Sequence, residues 1–337
     1  MWKRHMQNHP ILIMGIISAL VLIIFLISLQ MGSMTISPTE VIRTLVGEGT
    51  DQQKLVLLEF RLPRMVTALL VGAALATSGS ILQSVSQNEL ADPGILGINS
   101  GAGLAVVLFI YFFQGTEVAL ASSVFALPFF ALVGALSAAF LIYAFAWKQG
   151  ITPIRLILVG VALNAGFGAL MIVIQLRMDE HDFMQATFWL TGNIWGSSWG
   201  SVLSILPWIS ILIPIVWWKG RMLNIMRLGD PASVSLGIPV ERSRLLLLVL
   251  SVALAAAAVS VAGAISFLGL VAPHISRRLV GPRHQVALPA AALIGALILL
   301  FADMIARNVL TPSEIPVGIL VAILGAPYFL YLLLKTH

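Results

Sequence analysis

The residues able to do chemistry in this sequence are few, and most are cationic. Asp303 and Arg307 stand four apart, a spacing that sets a carboxylate beside a guanidinium on one helix face. Asp303 is the main ionisable residue inside an apolar run, and the spacing predicts that it neutralises Arg307. Histidines occur at 5, 9, 181, 274, 284 and 337, none paired at helical ligand spacing within an apolar run. With no cysteine, the chain has no disulfide framework, thiolate metal site or cysteine nucleophile. It also lacks a G-x-x-x-x-G-K-[ST] loop to cradle nucleotide phosphates, and both H-E-x-x-H and G-x-S-x-G. These residue types imply no catalysis, no metal site and no cofactor. Carboxylates along apolar runs, which a proton- or sodium-driven carrier uses, are scarce, so energy is expected to enter from a partner.

The elements that hold these groups are apolar helices. Hydrophobic residues make up 59% of the 337, charged ones 10%, and mean hydropathy is +1.00. Soluble domains carry roughly a quarter charged residues, so this composition predicts an all-α integral membrane protein. The net charge of +5 is small for the length and does not suggest nucleic acid. Apolar segments run 11–30, 65–84, 95–113, 119–147, 156–176, 201–218, 245–262, 264–276, 286–306 and 315–334. That is about ten transmembrane helices in a single domain, 1–337. Segment length and the lack of period-two alternation exclude a β-barrel. The first run is expected to be a retained helix, being longer than a signal-peptide core.

With the N-terminus in the cytoplasm and an even span count, the cytoplasmic side holds 13 Lys and Arg residues and the outer side 6. The positive-inside rule favours this arrangement, which puts both termini in the cytoplasm. It places Arg61, Arg64 and Arg307 outside, near span ends, and with them the acidic loop Met31–Pro63, where Ser37-Pro38-Thr39-Glu40 resembles a helix start. Residues 177–200, polar and then aromatic, are expected to form an outer interfacial segment with a short helix. The stretch Gly263–Gly281 is expected to break at Pro273 and surface there, with Arg277 and Arg278 as cytoplasmic anchors and His274 hydrogen-bonded at a helix end. In the inner loop Lys219–Arg244, Asp230 is expected to cap a short helix over Ala232–Leu236 that ends at Gly237. Gly72, Gly79, Gly160, Gly166 and Gly168 suit close helix packing. Segments 61–79 and 244–263 share a basic-then-small pattern and are candidates for an inverted repeat.

The motifs carry a resemblance over nearly the whole chain: Arg61-Leu62-Pro63-Arg64, Asn88–Gly94, Leu228–Gly237, Gly263–Gly281, Ala302–Arg307, Glu314–Gly318 and Gly325-Ala326-Pro327. In this order the sequence resembles the permease subunits of type II ABC importers, which take up iron-siderophore, haem and vitamin B12. It departs at Glu89, where that family commonly has proline. The resemblance implies a ten-helix, vitamin B12 importer permease-like fold in a bacterial cell membrane. Its partners would be a second permease, identical or paralogous, two cytoplasmic ATPase subunits and an extracytoplasmic binding lipoprotein. The cargo would be a ferric siderophore, with haem or cobalamin as alternatives. By the same resemblance, Arg61, Arg64 and Arg307 would face outward and pair with glutamates of the binding protein. Leu228, Gly229, Asp230, Ala232, Leu236 and Gly237, within the elbow 228–239, would couple to the ATPase. Asn88, Leu90, Thr152 and Pro153 would form a cytoplasmic gate. The rivals, an ion-coupled secondary carrier and an intramembrane enzyme, lack the buried carboxylates and catalytic groups they need.

Overall fold

The computed structural model describes residues 9–32, 34–94, 97–113, 117–148, 152–310 and 313–335, with the side chains of 117–124, Pro153 and Lys335 left aside. Among the described residues every regular element is helical. In chain order these are α1 (Pro10–Gln30), α2 (Pro38–Leu45), α3 (Asp51–Val85), α4 (Ile98–Phe113), α5 (Glu117–Ala146), α6 (Pro153–Gln175), α7 (Glu180–Leu190) and α8 (Trp199–Trp218). Then come α9 (Gly220–Met226), α10 (Asp230–Ser235), α11 (Val240–Ala262), α12 (Leu268–Val280), α13 (His284–Asn308) and α14 (Val317–Lys335).

Eight of these are long and apolar enough to cross a membrane. The shorter α4 and α12 occupy the positions of the other two expected spans, so all ten apolar segments are helical. Their limits differ where charge or proline suggested an end. The span expected to start at 65 instead belongs to a continuous helix from Asp51. Over Leu55–Arg61 that helix widens to a π turn, in which Leu62 N donates to Leu57 O. Pro63 has no N–H for the Glu59 carbonyl, and the π turn absorbs the mismatch without breaking the helix. At 35 residues, α3 is about 50 Å long and projects well past a hydrocarbon core of about 30 Å.

The glycines decide the central contacts. A Cβ on Gly79 would collide with the Gly269 carbonyl, and one on Gly72 with that of Gly295. Here α3 lies backbone to backbone against α12 and α13, as small residues permit. Ser78 and Ser251 bind reciprocally across α3 and α11, each hydroxyl donating to the other's carbonyl at 2.7 and 2.9 Å. Gly166 and Gly168 behave otherwise: among the described residues no neighbouring helix lies within 4 Å of a Cβ at either, so neither is a close helix contact there.

The break expected at Pro273 does not occur. Residues 263–267 are irregular, with Gly263 and Phe267 both at φ 68°, and α12 begins at Leu268 and runs through Pro273 to Val280. A proline at 273 leaves the Gly269 carbonyl without its helical donor. Gln83 Nε2 supplies one from α3 at 3.3 Å, while Gln83 Oε1 accepts from Arg277 Nη2 at 2.6 Å. His274 is hydrogen-bonded, through Nδ1 to the Tyr328 hydroxyl at 2.6 Å, but it stands in the middle of α12 and not at a helix end.

Candidate translocation path and docking surfaces

Three sites stand out along the bundle. At the end where α3 begins and α13 finishes, Arg61, Arg64 and Arg307 are buried together. Asp303, 0% exposed, receives Arg64 Nε at 2.7 Å on Oδ1 and Arg307 Nε at 3.2 Å on Oδ2. Arg64 also reaches Glu314 at 2.7 Å, and Arg307 donates to the Ser28 hydroxyl of α1. Arg61 turns back to the carbonyls of Leu29, at 2.7 Å, and Met34. The expected Asp303–Arg307 pair is present, and Arg64 completes it. The outward-facing arginines of the sequence reading are not displayed on a surface: each already has partners in the chain. They border a recess of ≈ 570 Å³, shared with Phe60, Trp195 and Glu314. Three guanidiniums meet two carboxylates there, so one positive charge is in excess.

Beside this end the short helix expected within 177–200 is present as α7, with Asp179 capping it through Asp182 N at 2.9 Å. Trp199 Nε1 donates to Leu58 O at 2.9 Å and so braces the π turn. Ser37 forms a full capping box with Glu40 at the start of α2. The Ser37 hydroxyl and backbone N–H hold the Glu40 carboxyl below the usual carboxylate range.

At the other end the elbow is larger than expected, because α9 precedes α10. Asp230 does not cap. Gly229, at φ 97°, holds the N-cap position, and both Asp230 carboxylate oxygens accept from Arg244 Nη2, at 2.7 and 2.8 Å. A full guanidinium partner outcompetes the weaker cap. The expected end at Gly237 holds: Ile238 N donates to Ser233 O, and Gly237 N to Val234 O, the paired bonds that close a helix on a left-handed glycine. Leu228, Val234 and Leu236 are 66%, 63% and 59% exposed, an apolar face on an otherwise polar elbow.

Next to the elbow, Asn88 Oδ1 closes a turn on Leu90 N at 2.9 Å, and Glu89 pairs with Arg227 at 3.0 Å. Leu90 packs beside Leu270, Val271 and Leu332. Thr152 is exposed at the start of α6, and the Pro153 side chain lies outside the described residues. Among the described residues no hydrogen bond or ion pair joins Asn88 or Leu90 to Thr152. Asn88 and Leu90 thus share one turn beside the elbow.

Between the two ends lie the irregular stretches 86–94 and 263–267, the second tied to the start of α4 by Asn99 Nδ2, which donates to Ile265 O at 3.4 Å. They bound a cavity of ≈ 560 Å³ lined by Asp92, Asn99, Ser100, Asn164, Ser266 and Phe267, among others. Irregular backbone at membrane depth is tolerated where it lines a cavity. Sequence reasoning missed Asp92, a buried carboxylate whose Oδ1 accepts from Gly94 N at 2.7 Å. Its signals were an acid between two apolar runs and its place within the Asn88–Gly94 motif.

The FecCD transport family profile matches residues 20–335. The chain belongs to the FecCD transport family. Similar curated proteins include the iron(3+)-hydroxamate import system permease protein FhuG of Bacillus subtilis, 56% identical over 331 residues and 98% of each chain. The iron-uptake system permease protein FeuC of Bacillus subtilis is 44% identical over 94% of this chain and 95% of its own. Among solved structures, a metal-chelate type ABC transporter in an inward-facing conformation superposes with a TM-score of 0.84, at 33% identity, over 96% of this chain and 99% of that one. This FecCD chain is thus an ABC-importer permease with the B12-importer type of fold, a transport component rather than an enzyme.

Proposed function

We propose that this FecCD chain is the membrane-spanning subunit that carries a ferric hydroxamate siderophore from an extracytoplasmic binding protein into the cytoplasm by alternating access. The observation that carries this reading is the 56% identity, over 98% of both chains, to a permease of an iron(3+)-hydroxamate import system. Residues 1–337 act as one permease domain beside a second permease, identical or paralogous, above two ATPase subunits. The termini and the elbow lie in the cytoplasm, in keeping with the 13-to-6 distribution of basic residues. ATP-driven movement reaches the elbow through the apolar face of Leu228, Val234 and Leu236, which suits helix-in-groove docking. Asp230, Ala232 and Gly237 shape that elbow, and Gly229 starts it. Cargo passes the central cavity, and the turn at Asn88 and Leu90, with Thr152 and Pro153, closes the path below it.

The arginine recess receives the binding protein. Its excess positive charge favours an incoming carboxylate, and guanidinium groups bind carboxylates in a fixed, planar geometry. Arg61, whose described hydrogen bonds go to carbonyls alone, is the arginine best able to take that carboxylate, with Arg64 and Arg307 fixed beside it.

Proteoliposomes holding the complete complex test the reading. Uptake of a radiolabelled ferric hydroxamate should need ATP, the ATPase subunits and the binding protein, and should exceed uptake of catecholate and citrate complexes. Uptake that persists without the ATPase subunits would overturn the importer reading; equal uptake of all three classes would overturn the cargo. Arg61→Gln should weaken binding-protein affinity, beyond the modest fall in thermal stability expected from losing its bonds to Leu29 and Met34, and unchanged affinity would remove Arg61 from the dock.

A further inference from the structure

Two polar connections join the end of α3 to the elbow, and they differ in burial. The buried one runs from Ser84 through His284 to Asn224. His284 Nε2 lies 2.6 Å from the Ser84 hydroxyl, and Nδ1 lies 2.7 Å from Asn224 Oδ1. Asn224 also accepts from His284 N at 2.9 Å and donates to Gln285 Oε1 at 2.8 Å. This connection fixes α9 against α3 and α13. The exposed one is Glu89–Arg227, with side chains 55% and 36% exposed.

Arg227 is the first residue after α9 and stands three before α10. The elbow around it is internally tied: Ser233 Oγ lies 3.1 Å from Ile225 O and 2.8 Å from Gly229 O, and Asp230 is held by Arg244. A push on α10 therefore moves Arg227 with it. Glu89 lies between Asn88 and Leu90, in a turn entered through Gln87 at φ 52° and closed by the Asn88 side chain. An exposed ion pair adds little stability. Its weight lies in where it joins two bodies that are each fixed elsewhere. A proline at 89 would offer Arg227 no carboxylate.

We propose that Glu89–Arg227 is a positioning contact that keeps the 88–91 turn in step with the α9–α10 elbow, so that opening of the turn follows elbow displacement. This rests on the importer reading above and adds to it a named link between elbow and turn. The contact touches neither cargo nor nucleotide, and its loss should loosen the ratio of cargo moved to ATP hydrolysed rather than abolish either activity.

The test uses the complete complex in proteoliposomes, with ferric hydroxamate uptake and ATP hydrolysis measured on the same vesicles. Glu89→Gln and Arg227→Gln should each lower cargo moved per ATP by about two- to fivefold, the range an exposed ion pair can supply. Binding-protein-stimulated hydrolysis should stay within about twofold of the unaltered complex. The exchanged pair, Glu89→Arg with Arg227→Glu, should restore the ratio. Because the chain has no native cysteine, Glu89→Cys with Arg227→Cys gives a second measurement. Joining the two thiols with a short crosslinker should raise the ratio above that of the same variant left unlinked. An unchanged ratio in both single variants, an exchanged pair no better than either single, or a crosslink without effect would overturn the proposal. Failure of the unaltered complex to import would instead count against the importer reading, so the two failures are distinguishable.

Discussion

Asp303→Asn is the most exacting perturbation of the arginine cluster. The change keeps the volume of the side chain and removes its charge. Asp303 is 0% exposed and meets Arg64 at 2.7 Å and Arg307 at 3.2 Å. At an effective dielectric of about 20, each unit-charge pair at such a separation carries roughly 5–6 kcal/mol of Coulomb attraction. Much of that only offsets the cost of taking three charges out of water. Removing one member of a buried pair costs about 3–5 kcal/mol, because the partner stays buried without its countercharge. Glu314 keeps part of Arg64 neutralised, which places the expected loss near the low end, about 3 kcal/mol. For a chain of this size that corresponds to a fall in Tm on the order of 4 °C. Tryptophan fluorescence of the detergent-purified protein on heating would measure it, through eight native reporters. The fall should persist at high salt, because buried pairs are poorly screened. A triple variant, Asp303→Leu with Arg64→Met and Arg307→Met, should recover part of the loss, since apolar groups of similar volume can replace a buried ionic cluster. A Tm within about 1 °C of the original in Asp303→Asn would refute the cluster as a structural element.

Leu228→Asp with Leu236→Asp should cut capture of the ATPase subunits by at least about tenfold, because a charge enters a face that must be desolvated. The Tm of the isolated permease should not move, since both side chains are exposed on it. Gly79→Ala should abolish yield of folded protein, as its Cβ meets the Gly269 backbone, whereas Gly166→Ala should leave Tm unchanged or raise it slightly. Acid should loosen α2: Glu40 titrates below its ordinary range, so its contribution to the cap is complete above that range and is lost as pH falls through the lowered value. Hydrogen exchange over residues 37–45, corrected for intrinsic rates, should show this loss of protection, and Glu40→Gln should remove its dependence on pH.

The ten spans were legible because an apolar run of bilayer length has few other uses. Their ends were less legible, since local polarity marks chemistry and not depth. Glu59, Arg61 and Pro63 look like a loop boundary, yet they sit inside one helix, because the π turn absorbs the proline and Leu29 and Met34 supply carbonyls for Arg61. Pro273 looked like a break, and the residue that prevents one is Gln83, 190 positions away. Asp230 looked like a helix cap; Arg244, fourteen residues on, takes its carboxylate. The family motifs identified the arginines, but the burial of Arg64 depends on Asp303 and Glu314, 239 and 250 positions away, which supply its countercharge.

The glycine contacts of α3 bear on how the subunit moves. Where Gly79 meets Gly269 and Gly72 meets Gly295, the surfaces in contact are backbone, without side chains that interlock. Knobs seated in holes must change rotamer before one helix can slip past another, and that makes such interfaces stepwise. Two bare backbones present no such steps. At these crossings α3 is a smooth journal, along which α12 and α13 can slide by fractions of an ångström with no barrier from repacking. The resistance to sliding then comes from the side chains packed on either side of these crossings and from the polar ties along α3, among them the arginine cluster, Gln83 with Gly269 and Arg277, and the Ser84–His284–Asn224 connection.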